Sequence, residues 1–486
     1  MSQGDQPKSS YSDLQDSDVA HQMHGFGHPA MQKMPRQLVV FESGDGAVLR
    51  DIEGKEYLDA MAGITVAHLG HGREDLARVA YEQRNLTNTN AVKVCERLSG
   101  LAAQAFPGAD KMDGARVYLT AGGAEGIEAA YHLALRYWNK SGPLGTSYGG
   151  GYRKQKLISF RNCYHGSTFI PASMKPEFSD YGWKRWMEGQ PKEVYGSAAH
   201  RMFVNIDPPH ELFMDKSKIK PGENVGQAAA RQLEETILGE GPDTVAAFVF
   251  EPVQGDGGAV DMHRDFFPLA EEICKKHNVL MIADEIMAFA KTGHWFGMEL
   301  YGGVCPDMMV ISKGLTCGYL PMGAVIFRNA IWRTAFENLS TKFMVSDVWQ
   351  HDYTWSGHPV CAAVALRALD IVESEGLITK CAERGRVFLD ILKRKLEGLH
   401  VVQQVRGTGV MLGVDLISDI ATDIEQKVLL EYGVVLRAST NKHCLLLTPP
   451  YVMTDDQFER VADALRSVLS SSATMLESAV SKSRQH

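Results

Sequence analysis

Three short apolar runs in the middle of the chain constrain its fold more than any other feature. They cover residues 244–250, 279–284 and 308–312, and a helical pattern over 265–277 separates the first from the second. Short apolar runs that alternate with helices are typical of βαβ units, whose parallel sheet is buried on both faces. We therefore predict an α/β protein with a large domain built on a mostly parallel sheet, flanked by helices.

Changes in composition and in hydrophobic pattern along the chain also predict how it divides into parts. Both ends are rich in Ser, Gln and charged side chains, which is typical of weakly ordered tails. Helical and strand-like patterns alternate after residue 352, which indicates a smaller α+β domain. In chain order, the predicted parts are a tail (1–22), an N-terminal segment joining the small domain (23–90), a large domain (91–345), a small domain (346–471) and a second tail (472–486).

Composition excludes several classes of function. With 50 basic and 59 acidic side chains the formal charge is −9, which disfavours nucleic acids and anionic membranes as partners. No window approaches the roughly 18 apolar residues of a spanning helix, and the polar start lacks the features of a signal peptide. The eight cysteines contain no CxxC pair and the histidines no HExxH motif, so we expect free thiols, no metal and a cytoplasmic location.

A charged residue follows each of the apolar runs or ends it. These residues are Glu251, Asp284 and Lys313. Each of them alone could be a solvated strand end, but a charge beside a buried strand costs free energy unless it is paired or used. Because ligands bind outside the carboxyl ends of parallel strands, the three together predict an active site there.

The lysine and the aspartate suggest a particular chemistry. Burial favours the neutral amine of Lys313, which can then add to a carbonyl. Asp284 on the neighbouring strand could hold a protonated ring nitrogen, which is the arrangement that an electron-sink cofactor requires. Gly122–Gly123–Ala124 precede a helical pattern and could bind a phosphate through backbone N–H groups, and Tyr164 could stack on a flat ring.

Seven motifs then match one family in order. They are DAMAG (59–63), YHGST (164–168), EPVQGDGG (251–258), ADE (283–285), SKGLTCGYLPMGA (312–324), TWSGHP (354–359) and VRGTGVMLGVDL (405–416). Over residues 38–468 the chain resembles the class III pyridoxal-phosphate (PLP) aminotransferases of fold type I, the group containing the ω-amino acid and amine:pyruvate transaminases. The resemblance implies the fold type I architecture, PLP as cofactor and a homodimer with shared active sites.

The resemblance also implies roles for individual residues. Lys313 would form a Schiff base with the cofactor and then carry the proton, and Asp284 would pair with the pyridine nitrogen. Tyr164 and Ile286 would pack on the two faces of the ring. The remaining cofactor-pocket residues that it implies are Gly123 and Ala124 at the phosphate, His165, and Glu251 beside the ring.

Two further residues are implied at the edges of this site. Thr354 would reach the phosphate of the neighbouring subunit. Arg437 matches the arginine that amine:pyruvate transaminases use for a substrate carboxylate, and its guanidinium suits bidentate binding. A surface strand position for Arg437 is the alternative, and Arg406 is the competing candidate for the carboxylate, although its VRG context is more typical of a structural residue.

The chain departs from the family pattern at several positions. Gly122–Ala124 lack the serine hydroxyls that usually contact the phosphate. Met287 replaces a glutamine, and Leu446 replaces the arginine of the ornithine and 4-aminobutyrate branches, which argues against those branches. Thr65 replaces a tryptophan of the amine:pyruvate subgroup, so that wall of the pocket is smaller.

These features predict a PLP-dependent aminotransferase that works in two half-reactions. The amino group would pass from a primary amine or ω-amino acid to a 2-oxo acid, with pyruvate as the expected acceptor. Another fold type I PLP enzyme, such as a decarboxylase, lyase or racemase, and a non-catalytic homologue are the alternatives.

Overall fold

The computed structural model describes most of the 486-residue chain. The described ranges are 10–21, 39–83, 89–141, 154–175, 202–337, 348–349, 351–439 and 443–483. No helix within these ranges is both long and apolar enough to cross a membrane.

Strands and helices alternate along the chain. The strands are β1 (Phe41–Asp45), β2 (Val48–Asp51), β3 (Glu56–Asp59), β4 (Arg116–Thr120), β5 (Lys156–Phe160), β6 (Phe203–Ile206), β7 (Val245–Phe250), β8 (Val253–Gln254), β9 (Val260–Asp261), β10 (Leu280–Asp284), β11 (Met308–Ile311), β12 (Gly323–Phe327), β13 (Val402–Thr408), β14 (Met411–Leu416), β15 (Val434–Val435), β16 (Arg437–Ala438) and β17 (Cys444–Leu447). The α-helices are α1 (Tyr11–His21), α2 (Ala62–Thr65), α3 (Glu74–Glu82), α4 (Thr89–Ala105), α5 (Gly123–Ser141), α6 (Phe169–Ser173), α7 (Val225–Glu240), α8 (Phe266–Lys276), α9 (Asn329–Trp332), α10 (Pro359–Ser374), α11 (Leu377–Leu396), α12 (Ala421–Tyr432) and α13 (Asp455–Ser483). Single turns of 3₁₀ helix cover Lys216–Lys218, Pro242–Thr244, Gly297–Tyr301 and Lys313–Leu315, and a π-turn covers Arg333–Glu337.

A seven-stranded sheet carries the predicted parallel core. Its strand order is β4-β12-β11-β10-β7-β5-β6, and β12 is antiparallel to both of its neighbours while the other adjacent pairs are parallel. Both faces are buried: Phe248 and Phe250 of β7 pack in one apolar cluster and Val249 packs in another. Helix α5 covers the second face, whereas α4, α7 and α8 cover the first. This architecture confirms the predicted α/β fold of mostly parallel strands.

Two smaller sheets lie outside this core. The order β1-β2-β3-β15 brings a C-terminal strand into the N-terminal sheet, where Val434 pairs with Leu58 in parallel. The second sheet, β13-β14-β17-β16, is antiparallel and packs with α11, α12 and α13 around Phe388 and Phe458. The N-terminal segment and the α+β region therefore share a sheet, while the five-part division of the chain stays a prediction.

The structure differs from the predicted elements at several points. Helix α1 lies in the segment expected to be a tail, where the Tyr11 hydroxyl accepts a hydrogen bond from the Val40 N–H at 3.1 Å. Helix α13 continues to Ser483, past the predicted start of the second tail at residue 472. Helix α11 begins at Leu377, where Leu377 and Cys381 are buried. The outermost residues, 1–9 and 484–486, lie outside the described ranges.

Candidate active site

A cavity of about 430 Å³ opens at the carboxyl ends of β7, β10 and β11. The three charged residues at the strand ends, Glu251, Asp284 and Lys313, all line it. The other residues that line it are Gly123, Ala124, Tyr164, His165, Gly166, Ser167, Thr168, Ile286, Met287 and Ser312. The sequence did not assign a role to Gly166, Ser167, Thr168 or Ser312, although Gly166 and Ser312 adjoin predicted site residues and Ser167 and Thr168 belong to the YHGST motif.

Asp284 is held in place from two sides. Its Oδ2 lies 2.7 Å from Nδ1 of His165, and its Oδ1 accepts the Ile286 N–H at 3.0 Å. Burial lowers the pKa of the His165 ring, but the Cys163 side chain and the Asp284 carboxylate outweigh it, and the net pKa lies well above the usual value. The raised pKa favours a protonated His165, which can donate a charge-assisted hydrogen bond to the buried Asp284 side chain.

Glu251 is buried beside this pair. Its carboxylate accepts hydrogen bonds from the N–H of Tyr164 at 3.0 Å and of Gly255 at 2.8 Å. Burial raises its pKa to about 7, and the nearby Asp284 carboxylate adds to this rise, while His165 and the two N–H groups oppose it. Its environment therefore favours the protonated form of Glu251 more than that of an exposed glutamate.

Lys313 begins a 3₁₀ turn directly after β11. Burial lowers the pKa of its amine, and the positive charge of Arg437 adds to this effect. Three carboxylates oppose it, those of Asp284, Glu251 and Asp256. Within the part of the chain that the structure describes, the amine forms no hydrogen bond or ion pair, so it is available to a ligand in the cavity.

The phosphate-binding prediction rests on helix α5, whose first residues Gly123 and Ala124 line the cavity. The first turn of a helix leaves its N–H groups without partners inside the helix. A Cβ on Gly123 would lie 2.7 Å from Cδ1 of Ile286, so only glycine lets the backbone approach so closely. Gly166, at φ +128°, packs in the same way on Ala124, where a Cβ would come within 2.6 Å of the alanine methyl group.

Two of the predicted site residues, Thr354 and Arg437, do not line the cavity. Thr354 is exposed in the single chain. Arg437 pairs with Leu446 across β16 and β17, so the two side chains lie on the same face of the sheet. Leu446 belongs to the same small apolar cluster as Met287, which lines the cavity, and the charge of Arg437 lowers the pKa of Lys313.

Arg406, the competing candidate for a substrate carboxylate, is engaged elsewhere. It forms a buried ion pair with Asp415, and its Nη2 also donates to the Gly258 carbonyl at 2.6 Å. It lines a different cleft from the one that holds Lys313. Arg406 is therefore a structural residue that ties β13 to β14 and to the loop after β8.

The cavity suits PLP in each of its parts. An amine without a partner among the described residues lines it together with a buried carboxylate, and the N-terminus of helix α5 lies at the same cavity, where a Cβ at residue 123 would collide with Ile286. Among the described residues, no group of three or more His, Cys, Asp or Glu side chains could hold a metal ion. Fold and site together define a PLP-dependent transferase.

Comparison with known proteins gives the family. The Aminotransferase class-III family matches residues 30–469, so the chain belongs to this family and uses PLP. It is 34% identical to a probable aminotransferase of Mycobacterium tuberculosis, over 88% of this chain and 89% of that protein. It is 30% identical to the putrescine–pyruvate aminotransferase of Pseudomonas aeruginosa, over 89% of this chain and 91% of that protein.

Solved structures agree with this assignment. An (S)-enantioselective ω-transaminase from Thermomicrobium roseum superposes with a TM-score of 0.79 at 30% identity, over 95% of this chain and 99% of that one. A PLP-bound amine transaminase from an uncultivated Pseudomonas species superposes with a TM-score of 0.77 at 30% identity, over 93% and 98% of the two chains. The protein is a fold type I aminotransferase.

Proposed function

We propose that this aminotransferase moves the amino group of a primary amine or ω-amino acid to a 2-oxo acid, with pyruvate as the acceptor. The observation that carries the reaction type is the Lys313 amine, which forms no hydrogen bond or ion pair among the described residues, in one cavity with the Asp284 carboxylate. The substrate class is supported by Arg437, whose charge acts on Lys313, and by the similarity to a putrescine–pyruvate aminotransferase.

Lys313 and Asp284 would act at opposite ends of the cofactor. PLP, when bound, withdraws electrons from the substrate carbon and stores the amino group between the two half-reactions. Lys313 would hold its aldehyde carbon and would move the proton at the substrate carbon; burial lowers the pKa of its amine, which favours the form that can act as a nucleophile or base. Asp284 would pair with the ring nitrogen, and His165 orients the Asp284 side chain through their 2.7 Å contact.

The other cavity residues would position the cofactor. The N–H groups of Gly123 and Ala124 hold its phosphate, and the positive end of helix α5 favours that charge. Tyr164 and Ile286 pack on the two faces of the ring. Glu251 lies beside the ring, with a pKa near neutrality, and does not carry out the proton transfer at the substrate carbon.

We also propose a homodimer in which Thr354 of each chain contacts the phosphate in the other site. The exposed Trp355 next to it, of which 64% remains accessible in the single chain, supports an interface there. Arg437 would bind the carboxylate of the acceptor through its planar guanidinium.

One set of experiments tests these assignments. Lys313→Ala should neither retain PLP through a borohydride-reducible bond nor turn over, whereas the wild-type protein should do both. An amine panel with pyruvate and with 2-oxoglutarate should show turnover with pyruvate, and reaction should stop after one equivalent of amine when no acceptor is present. Sustained product formation without an acceptor would instead identify a decarboxylase, lyase or racemase, and a protein that ignores PLP would be non-catalytic.

A further inference from the structure

A buried ion pair adjoins the part of the cavity wall that Tyr164 forms. Nζ of Lys175 lies 2.9 Å from Oδ2 of Asp256, and only 4% and 11% of the two side chains remain accessible. The same Nζ lies 5.3 Å from the centre of the Tyr164 ring. The hydroxyl of that ring lies 3.0 Å from Oγ of Ser167. Tyr164 lines the cavity, whereas neither member of the ion pair does, so the pair acts on the wall from outside the site.

The two members of the pair come from distant parts of the chain. Lys175 follows helix α6, and Asp256 lies in the loop between β8 and β9. The same loop contacts Glu251, because the Gly255 N–H donates to the Glu251 carboxylate at 2.8 Å. That carboxylate also accepts the Tyr164 N–H at 3.0 Å. Tyr164 is therefore held at its backbone through Glu251 and contacted at its ring by Lys175.

A charge pair at this position costs free energy. Two ions that are removed from water lose hydration that their mutual attraction only partly restores, so a buried pair is weak evidence for stability. An ammonium group near an aromatic ring is attracted to the negative face of the ring, and this attraction strengthens when water is excluded. Neither Lys175 nor Asp256 takes part in the proposed reaction. What the pair adds at this position is its contact with the Tyr164 ring.

We propose that Lys175 is a positioning residue, whose ammonium group fixes the Tyr164 ring in the orientation that packs on PLP while Asp256 holds the ammonium group in place. This inference rests on the proposed packing of Tyr164 on the cofactor ring. A side chain that is already fixed loses less conformational freedom when a ligand binds, which strengthens binding. The Asp256 carboxylate also raises the pKa of Lys313, so its charge reaches the reacting amine.

The test separates the cation from the stability of the fold. Lys175→Met keeps the apolar stem but leaves the buried Asp256 carboxylate without a counter-ion. In Lys175→Met/Asp256→Asn both charges are absent, so this double variant should be about as stable as the wild type in urea unfolding. We expect PLP to bind its apoprotein about fivefold more weakly, with a smaller circular dichroism signal from the bound cofactor. Lys175→Arg, which keeps a cation, should bind PLP nearly as the wild type does.

A second background tests whether the effect passes through Tyr164. Tyr164→Leu should itself weaken PLP binding, and the double variant should then cause no further loss in that background. An unchanged affinity in Tyr164→Leu would contradict the proposed packing of Tyr164 on the cofactor. Wild-type affinity of the double variant, or a loss that persists in the Tyr164→Leu background, would instead refute the positioning role of Lys175.

Lys156→Met is the matched control. It removes the lysine of another ion pair, with Glu240 at 2.7 Å, at the start of β5, whereas Tyr164 follows the end of that strand. The affinity for PLP should match that of the wild type. An equal loss in Lys156→Met would show that breaking any such ion pair weakens PLP binding, which would overturn the assignment to Lys175.

Discussion

Nδ1 of His165 and Oδ2 of Asp284 lie 2.7 Å apart, with both side chains almost completely shielded from solvent. A hydrogen bond to a buried charged group contributes more than one between neutral groups, and its loss leaves the charge without compensation. The orientation of Asp284 therefore depends on His165, which lies in the loop after β5.

His165→Phe should weaken PLP binding at least about tenfold, because the buried Asp284 side chain then loses the hydrogen-bond partner that orients it. Titration of the apoprotein with PLP, followed by absorbance, measures this. His165→Asn keeps an amide donor in place of Nδ1 and should recover part of the affinity. Equal affinities for His165→Phe and the wild type would show that Asp284 needs no such partner.

Gly166→Ala should destabilise the folded protein by about 1–3 kcal/mol and weaken PLP binding. The added methyl group would meet the Ala124 methyl at 2.6 Å, at a backbone φ of +128° that disfavours side chains. Urea unfolding and PLP titration measure the two effects. Gly239→Ala is the control: it lies exposed in α7 with nothing within 4 Å of the new Cβ, and should be neutral or slightly stabilising.

Glu285 should make the protein less stable as pH rises. Burial raises the pKa of this carboxyl to about 8 from an ordinary value near 4.5, despite hydrogen bonds from the N–H groups of Gly297 and Met298. Between these pH values the folded state keeps a proton that the unfolded state has lost, so the free energy of unfolding falls with rising pH. Urea midpoints measured from pH 5 to pH 8 should show this decline.

Glu285→Gln should flatten that decline, since the amide does not titrate and still accepts a hydrogen bond. Glu272→Gln, at an exposed position of α8, should leave the slope as it is in the wild type. An unchanged slope in Glu285→Gln would assign the pH dependence to other groups.

Asp415→Asn should cost about 3–5 kcal/mol of stability, because it leaves the buried guanidinium of Arg406 without its counter-ion. Thermal unfolding in the presence of PLP measures the loss. Glu74→Gln breaks the exposed pair with Arg78 and should change the stability by less than about 0.5 kcal/mol. Similar losses in both variants would contradict the structural role of Arg406.

The central strands could be predicted because burial on both faces leaves an unbroken apolar run, as in β7 and β10. Strands β4 and β6 carry partly exposed residues and lack such a run, so their pattern does not distinguish them from loops. The antiparallel direction of β12 is set by its neighbours in space. No local pattern encodes it.

The same limit applies to the site. Lys313 and Asp284 could be predicted from their positions at the ends of buried strands, where an unpaired charge is costly. The contact between His165 and Asp284 could not, because it arises only when the loop after β5 lies beside the end of β10. The proposed role of Thr354 involves a second chain, which the fold of one chain does not define.

The parallel pairing of β3 with β15 means that the N-terminal sheet cannot be completed until late in synthesis. Leu58 and its partner Val434 are separated by roughly 380 residues. At ribosomal rates of about 5–20 residues per second, one edge of β3 stays unpaired for on the order of 20–80 s before β15 leaves the ribosome. During that interval the nascent chain carries an unpaired strand edge. A chaperone that shields such edges should therefore increase the yield of folded enzyme more than it changes the free energy of unfolding of the folded protein.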